Sequence, residues 1–256
     1  MKQNYPLVSI IIPAKNEQIN IARCLGSIKK LNYPPKKLEV LVVDGMSKDK
    51  TAQIAKGFGA KVISNPKQIV ASARNLGFRQ AKGSIIAFTD ADCTFHKQWL
   101  ARALRYFRDP KIAACGGPNL TPQEESNFGR AVAFVFAQPA FSAGSNYGRY
   151  FKKVKEVNHI PGCNAIYRQR VLQKAMPVNE KLLTGEDVIL NKKIVDLGYK
   201  ILYTPDTIVY HYRRPTPRRL FWQFYRFAIG RLQIGKIDKR FLNPSHLVIG
   251  LSLPIL

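Results

Sequence analysis

The feature that most constrains the fold of this chain is the alternation of short apolar runs with segments of helical periodicity. Each run is largely apolar on consecutive residues, which is typical of strands that are covered on both faces. The runs lie at 7–12, 38–43, 60–63, 84–89 and 112–116. Segments with the three- and four-residue spacing of an amphipathic helix lie at 20–31, 51–58, 70–81 and 98–107. The alternation predicts an α/β fold with a mostly parallel sheet sandwiched between helices.

The rhythm of the chain changes after residue 117. The stretch 124–150 mixes small residues with phenylalanines, and its pattern assigns it to no element. Further elements are predicted as a helix at 188–197, short strands at 201–203 and 207–210, and a basic, aromatic helix at 218–232. Because no repeat or low-complexity linker interrupts the sequence, we expect one folded domain over 1–212, followed by a basic segment over 213–256.

Two carboxylates directly follow the apolar run at 84–89, at Asp90 and Asp92. The carboxyl ends of strands form the edge at which open α/β sheets bind ligands. Carboxylate oxygens suit Mg²⁺ or Mn²⁺, and these ions usually hold substrate phosphates. The pattern therefore indicates a site for a divalent cation and a diphosphate, although aspartates are also common in turns that bind nothing.

Other polar residues fall at the same predicted edge. The first run ends at Pro13 and is followed by Glu17, and the second run is followed by Asp44. A carboxylate there can accept hydrogen bonds from a ribose or a base, but an acid before a helix can equally be a cap. Arg74 lies on the helix that leads to Asp90, where it could bind phosphate or lie on the surface.

A second acidic pair and a histidine lie in the C-terminal half. Glu186 and Asp187 come just before the predicted helix at 188–197, and one of them could act as a general base. The alternative is simple stabilisation of both acids by the helix dipole. His211 follows a predicted strand, where it could be a metal ligand or a hydrogen-bonded structural residue.

The order of these motifs closely resembles that of the family 2 glycosyltransferases, which have the GT-A fold, over residues 7–231. The motifs are Pro13-Ala14-Lys15-Asn16-Glu17, Val42-Val43-Asp44, Ala73-Arg74-Asn75-Leu76-Gly77, Asp90-Ala91-Asp92 and Gly185-Glu186-Asp187. The resemblance implies a Rossmann-like α/β domain that uses Mn²⁺ or Mg²⁺. It also implies inverting transfer of a sugar from a nucleoside-diphosphate sugar, with UDP favoured, to a hydroxyl of a lipid-linked or polysaccharide acceptor.

The resemblance also implies individual roles. The donor nucleotide would be contacted by Pro13, Glu17, Asp44, Arg74 and Asp90. The metal would be held by Asp92 and His211, and Asp187 would be the catalytic base. The loop at 162–165 is similar to the place where acceptor and donor sugar meet, with Asn164 and Glu186 on the acceptor side.

The predicted C-terminal helix carries a further motif and a basic cluster. Residues 222–227 are similar to the Gln-x-x-Arg-Trp motif of membrane-bound members, which implies that Gln223, Arg226 and Phe227 contact the acceptor or sugar. Nine Lys and Arg residues between 213 and 240 precede an apolar run over 247–256. Such clusters are attracted to anionic lipid at the cytoplasmic face. We therefore expect a cell-membrane location on the cytoplasmic side, with the apolar run starting a transmembrane helix; a solvated basic face is the alternative.

The charge balance keeps two other functions open. The chain has 41 Lys and Arg against 16 Asp and Glu, a net charge of +25, which favours an anionic partner. The alternatives are a nucleic-acid- or lipid-binding protein without catalysis and a sugar nucleotidyltransferase. No nucleic-acid motif is present, so we expect no nucleic-acid partner, and the Gly-rich phosphate loop of nucleotidyltransferases is missing. The four scattered cysteines argue against a zinc site or a disulfide framework and favour a reducing compartment.

Overall fold

The structure is a computed structural model that describes residues 5–138, 148–214 and 216–242. These ranges include most of the stretch 124–150, which the sequence pattern left unassigned. The apolar run over 247–256, predicted to start a transmembrane helix, lies outside the described residues. Within the described ranges, no helix is both long and apolar enough to cross a membrane.

The strands and helices alternate through the first half of the chain. The strands are β1 (Val8–Ala14), β2 (Leu38–Asp44), β3 (Lys61–Ser64), β4 (Ile85–Thr89), β5 (Cys93–Phe95), β6 (Ile112–Gly116), β7 (Asn119–Leu120), β8 (Lys155–Glu156), β9 (Asn164–Arg168), β10 (Lys200–Tyr203) and β11 (Val209–His211). The helices are α1 (Gln18–Lys29), α2 (Thr51–Gly57), α3 (Val70–Gln80), α4 (Trp99–Tyr106), α5 (Asn127–Ala137), α6 (Gln169–Ala175), α7 (Glu186–Asp196) and α8 (Pro217–Ile237).

The central sheet has eight strands in the order β3-β2-β1-β4-β9-β6-β10-β8. The first four strands run parallel, and the chain moves outward from β1 to β3 before it crosses to β4 on the other side of β1. This reversal is the topological switch point at which open α/β sheets bind ligands. The predicted mostly parallel sheet is confirmed.

The continuous apolar runs fill both faces of this sheet. Alternate residues of one strand belong to two different hydrophobic clusters, with Ile10 and Ile12 on one face and Ile11 on the other, all fully buried. Each such side chain contributes about 1.5–3 kcal/mol by its removal from water. The strand ends that carry the site therefore adjoin a sheet that is packed on both faces.

The second half of the chain departs from the predicted pattern. Strand β9 is inserted antiparallel between β4 and β6, neither α6 nor β9 was predicted, and α5 lies in the stretch that the sequence pattern left unassigned. The predicted strand at 207–210 is wrong in its start, because β11 begins only at Val209. Thr207 is instead held in a turn by Thr204, whose hydroxyl donates a hydrogen bond to it at 2.7 Å.

A small second sheet has the order β5-β11-β7 and forms the floor beside the switch point. Its register pairs His211 with Cys93, the residue that follows Asp92. The Tyr212 N–H donates a hydrogen bond to the Asp92 carbonyl at 3.0 Å, which continues the pairing by one residue. This register brings the C-terminal histidine to the Asp-x-Asp motif.

Helix α8 follows shortly after this sheet. Its start is fixed by the Thr216 hydroxyl, which accepts a hydrogen bond from the Arg219 N–H, and by Pro217 in the first turn. Gly230 lets the helix approach closely, since a β-carbon there would meet the Thr184 side chain and carbonyl. The helix therefore lies against the loop that leads to α7.

Candidate active site

Asp92 and His211 form a buried charged pair at the switch point. The Asp92 Oδ1 and His211 Nε2 atoms lie 3.0 Å apart, and both side chains are buried. Desolvation acts to raise the pKa of Asp92, but His211 and Arg214 outweigh it and hold the pKa at about 2. Asp92 is therefore an anion at neutral pH, with an imidazole beside it.

Arg214 joins this pair to the end of β1. Its Nη1 atom lies 3.5 Å from Asp92 Oδ2 and 3.5 Å from Glu17 Oε1. Burial and the nearby Asp92 charge raise the pKa of Glu17. The carboxylates that follow β1 and β4 thus share one small, strongly charged space, as the sequence predicted from their strand-end positions.

Arg74 connects the two acidic pairs of the sequence. Its guanidinium is buried and lies 2.5 Å from Glu186 Oε1 and 3.8 Å from Asp90 Oδ1. It also lies over the Phe88 ring, at 5.4 Å from the centroid. In the structure the charged contacts of Arg74 are the buried Glu186 and the partly exposed Asp90, and its contact with the donor nucleotide remains a prediction.

Two residues predicted on the acceptor side also make internal contacts. Glu186 is buried in the ion pair with Arg74, so its carboxylate is used inside the protein. Asn164 is fully buried: its side chain accepts a hydrogen bond from the Trp99 indole and donates to the Pro118 and Thr207 carbonyls. Both side chains are therefore held by contacts within the protein, and their contact with an acceptor remains a prediction.

Asp187 is oriented differently from its neighbour Glu186. Its Oδ2 atom accepts a hydrogen bond from the Gly162 N–H at 2.9 Å and lies 3.5 Å from His159 Nε2. Although desolvation acts to raise it, the pKa of Asp187 lies well below its usual range because His159, Arg74 and the Gly162 N–H stabilise the carboxylate. The side chain is one-fifth exposed, so a substrate can reach it.

The end of β2 provides a further polar group. Asp44 is buried, and its Oδ2 atom accepts a hydrogen bond from the Ser47 N–H at 3.1 Å. Among the described residues, its Oδ1 atom has no hydrogen-bond partner. Pro13 is paired with Val43 in the adjoining strand, so both predicted donor contacts lie at the same edge. Their roles remain predictions.

The helix α8, which carries the predicted acceptor residues, packs against the loop before Asp187. The Thr184 hydroxyl donates a hydrogen bond to the Arg226 carbonyl at 3.2 Å, and burial lowers the pKa of Arg231 although the Asp187 carboxylate acts to raise it. Gln223 is half-buried, whereas Arg226 and Phe227 are exposed. Contact of these side chains with an acceptor remains a prediction.

Sequence reasoning missed His159 and Arg214. Neither follows a predicted strand or belongs to a motif, and each reaches the site from a loop. The position of Arg214 three residues after His211 was a signal, since the register that places His211 also carries Arg214 to the strand ends. His159 gave no such signal, because its loop is located only by the unpredicted strand β9.

The donor atoms present fit a divalent cation that prefers oxygen and nitrogen. The side chains of Asp92, Cys93 and His211 offer ligand atoms within 4.8 Å of one another. Desolvation raises the pKa of the Cys93 thiol far above its ordinary value, so Cys93 is not a thiolate at neutral pH. The carboxylate and the imidazole are therefore the ligands expected here, and they suit Mn²⁺ or Mg²⁺.

Comparisons with known proteins match the chain to one protein family. The profile of the family Glycosyl transferase family 2 matches residues 9–175. The chain is 32% identical to Glycosyltransferase AglE of Haloferax volcanii over 93% of this chain and 77% of that protein. It is 24% identical to the dolichyl N-acetyl-alpha-D-glucosaminyl phosphate 3-beta-D-2,3-diacetamido-2,3-dideoxy-beta-D-glucuronosyltransferase of Methanococcus voltae, over 88% of this chain and 72% of that protein.

A solved structure shares the fold. The mannosyltransferase PcManGT of Pyrobaculum calidifontis, in complex with GDP-Man and Mn²⁺, aligns with a TM-score of 0.68 and 21% identity. The alignment covers 98% of this chain and 70% of that one. This likeness confirms the predicted GT-A-type architecture.

Proposed function

The chain belongs to glycosyl transferase family 2, and we propose that it transfers a sugar from a nucleoside-diphosphate sugar to an acceptor hydroxyl with inversion at the anomeric carbon. The observation that carries this proposal is the placement of the two acidic pairs. Asp92 lies with His211 at the switch point, Asp187 lies on α7, and the Arg74 guanidinium joins the neighbours of these two acids, Asp90 and Glu186. One pair can hold the donor diphosphate while the other serves the acceptor.

The proton is handled by Asp187. Its lowered pKa keeps it ionised at neutral pH, and its exposed edge can accept the proton of an acceptor hydroxyl. The hydroxyl oxygen forms a bond to the anomeric carbon as the bond from that carbon to the diphosphate oxygen breaks. The nucleoside diphosphate leaves with the electron pair, and no covalent intermediate with the protein forms.

Asp92 and His211 would hold the divalent cation. When bound, Mn²⁺ or Mg²⁺ supplies positive charge that stabilises the departing diphosphate. Arg214 and Asp44 lie at the same strand ends, so a cation at Asp92 and the nucleotide pocket would adjoin each other. The structure of the Pyrobaculum relative contains both GDP-Man and Mn²⁺, which supports this part of the proposal.

The acceptor and the cellular site are proposed from the surface of α8 and the relatives. Phe221, Trp222 and Tyr225 are exposed on this helix, between the arginines at its start and Arg226. Exposed aromatics with basic residues suit an anionic membrane surface. The Methanococcus relative is named as a transferase that acts on a dolichyl N-acetyl-alpha-D-glucosaminyl phosphate. We infer a lipid-linked or polysaccharide acceptor at the cytoplasmic membrane face, with residues 213–256 as the interfacial segment.

Calorimetry of donor binding tests the nucleotide and metal parts. UDP and GDP are each titrated into the protein with Mn²⁺ and with EDTA, and one of them is expected to bind only with the metal. Asp92→Ala should abolish the effect of the metal, while Asp109→Ala, the same change at an exposed aspartate, should not. Binding that is equal with Mn²⁺ and EDTA would contradict the metal proposal.

Vesicle flotation tests the membrane part. The protein is expected to float with vesicles that contain phosphatidylglycerol more than with phosphatidylcholine alone. Because each basic residue near the surface contributes about 1 kcal/mol, Arg218→Gln with Arg219→Gln should reduce the recovery. Lys36→Gln with Lys37→Gln, an exposed pair beside the start of β2, is the matched control. Equal recovery with both lipids would remove the electrostatic argument.

A further inference from the structure

A histidine that belongs to none of the sequence motifs lies beside Asp187. His159 lies in the loop before β9, and its Nε2 atom is 3.5 Å from Asp187 Oδ2. The same oxygen accepts the Gly162 N–H, while Oδ1 accepts the Val188 N–H at 2.9 Å. The loop at 159–162 thus supplies two groups to one oxygen of the carboxylate.

We propose that His159 is a positioning residue that fixes the Asp187 carboxylate in the orientation that receives the acceptor proton. The inference rests on the proposed function, since it assigns His159 to the base of that reaction. His159 does not itself take part in bond making. It acts through Asp187. The carboxylate meets the acceptor hydroxyl, and His159 is the third group, which orients the carboxylate.

The contacts that hold the 159–162 loop in place support this role. Ile160, next to His159, is fully buried, and its carbonyl accepts a hydrogen bond from the Asn191 side chain of α7 at 2.9 Å. Asn191 is itself held by the Tyr167 hydroxyl at 3.1 Å. The loop is therefore attached to the helix that carries Asp187, so the imidazole and the carboxylate keep a fixed relation.

The His159–Asp187 pair is more exposed than a purely structural contact inside the core. The His159 and Asp187 side chains are 22% and 20% exposed, so their contact lies at the surface of the cleft. Without the loop, the Asp187 side chain would be held only by its own helix, and a misplacement of about 1 Å can reduce a rate by up to about a hundredfold. A precise orientation is thus worth a dedicated contact.

The charges that face Asp187 fix the expected direction of its titration. They are His159 and Arg74, which lower its pKa, Glu186 on the same helix, and Arg231 from α8. Removal of His159 takes away a stabilising contact of the carboxylate, so the pKa of Asp187 should rise. This shift can be measured without any substrate.

The test compares His159→Leu, His159→Gln and the matched control His96→Leu, which removes a histidine from the turn before α4. We expect His159→Leu to lower kcat by about 10- to 100-fold with unchanged KM for the donor and unchanged nucleotide affinity. His159→Gln, which keeps an N–H donor at similar reach, should restore most of the activity. Carbon-13 NMR, with the Asp187 signal assigned by Asp187→Asn, should show a higher pKa for Asp187 in His159→Leu.

The outcomes separate this inference from the proposed function. Wild-type kcat and an unshifted Asp187 titration in His159→Leu would overturn the inference and leave the function intact. A changed KM with unchanged kcat would also overturn it, since it would make His159 a substrate contact. If the wild type transfers no sugar, the proposed function fails, and the titration alone decides whether His159 positions Asp187. A loss that His159→Gln does not rescue and that follows the melting temperature would show a merely structural role.

Discussion

The two acidic pairs of the site, Asp90 with Asp92 and Glu186 with Asp187, have similar charged partners but differ in burial. In each pair the first acid faces Arg74 and the second faces a histidine: Asp90 and Asp92 with His211, and Glu186 and Asp187 with His159. In each pair the pKa of the first acid is raised and that of the second is lowered. One buried arginine therefore serves both pairs, and in each pair the acid with the lowered pKa is the one that faces a histidine.

The difference between the pairs lies in depth. The Asp92–His211 contact is 3.0 Å long and buried, whereas the Asp187–His159 contact is 3.5 Å long and about one-fifth exposed. A buried anion beside an imidazole suits a bound cation, which can satisfy both. A partly exposed carboxylate suits a proton acceptor that must meet a substrate. Similar residues thus acquire different chemistry through burial.

The largest expected effect is that of Asp187→Asn. The amide cannot accept the acceptor proton, so kcat should fall about a thousandfold, within the usual contribution of a general base. Nucleotide affinity should stay unchanged, because the Asp92 pair is intact. The rate is measured with saturating donor, and Asp196→Asn at the exposed end of the same helix is the control. A fully active Asp187→Asn would remove the distinction between the two pairs.

The sequence predicted the deeper pair better than the shallower one. Asp90, Asp92 and Asp44 follow apolar strands, and strand ends are recognisable from a local pattern. The histidine at 211 was found because it also follows a strand. These residues depend on local sequence and on the general rule that parallel strands share a carboxyl edge.

The partners of the acids could not be predicted in the same way. Arg74 and Glu186 are 112 residues apart, and their pairing depends on how α3 and α7 pack. His159 and the buried position of Asn164 depend on β9, an antiparallel strand inside a mostly parallel sheet. The sequence shows that Glu186 is an acid before a helix, but only the packing shows that its carboxylate pairs with Arg74.

A change at Arg74 tests whether this residue links both pairs electrostatically. Arg74→Met leaves the buried Glu186 without its cation, which should cost about 3 kcal/mol of the free energy of unfolding. The additional change Glu186→Gln removes the uncompensated charge and should recover a large part of the loss. Urea unfolding at neutral pH measures both variants. If the double variant is no more stable than the single one, Arg74 acts through its packing over Phe88 and not through charge.

The smallest expected effect belongs to His211 and sharpens the contrast between the two histidines. His211→Gln removes the imidazole beside Asp92, so the affinity for Mn²⁺ in the presence of nucleotide should fall at least about tenfold, as losses at metal sites commonly do. A saturating ligand stabilises the folded state by an amount that falls about 1.4 kcal/mol for each tenfold loss of affinity. The Mn²⁺-dependent rise in melting temperature should shrink accordingly in His211→Gln and remain in His159→Leu. An equal loss in both variants would mean that the two acidic pairs form one electrostatic unit, and that burial does not divide metal binding from proton transfer.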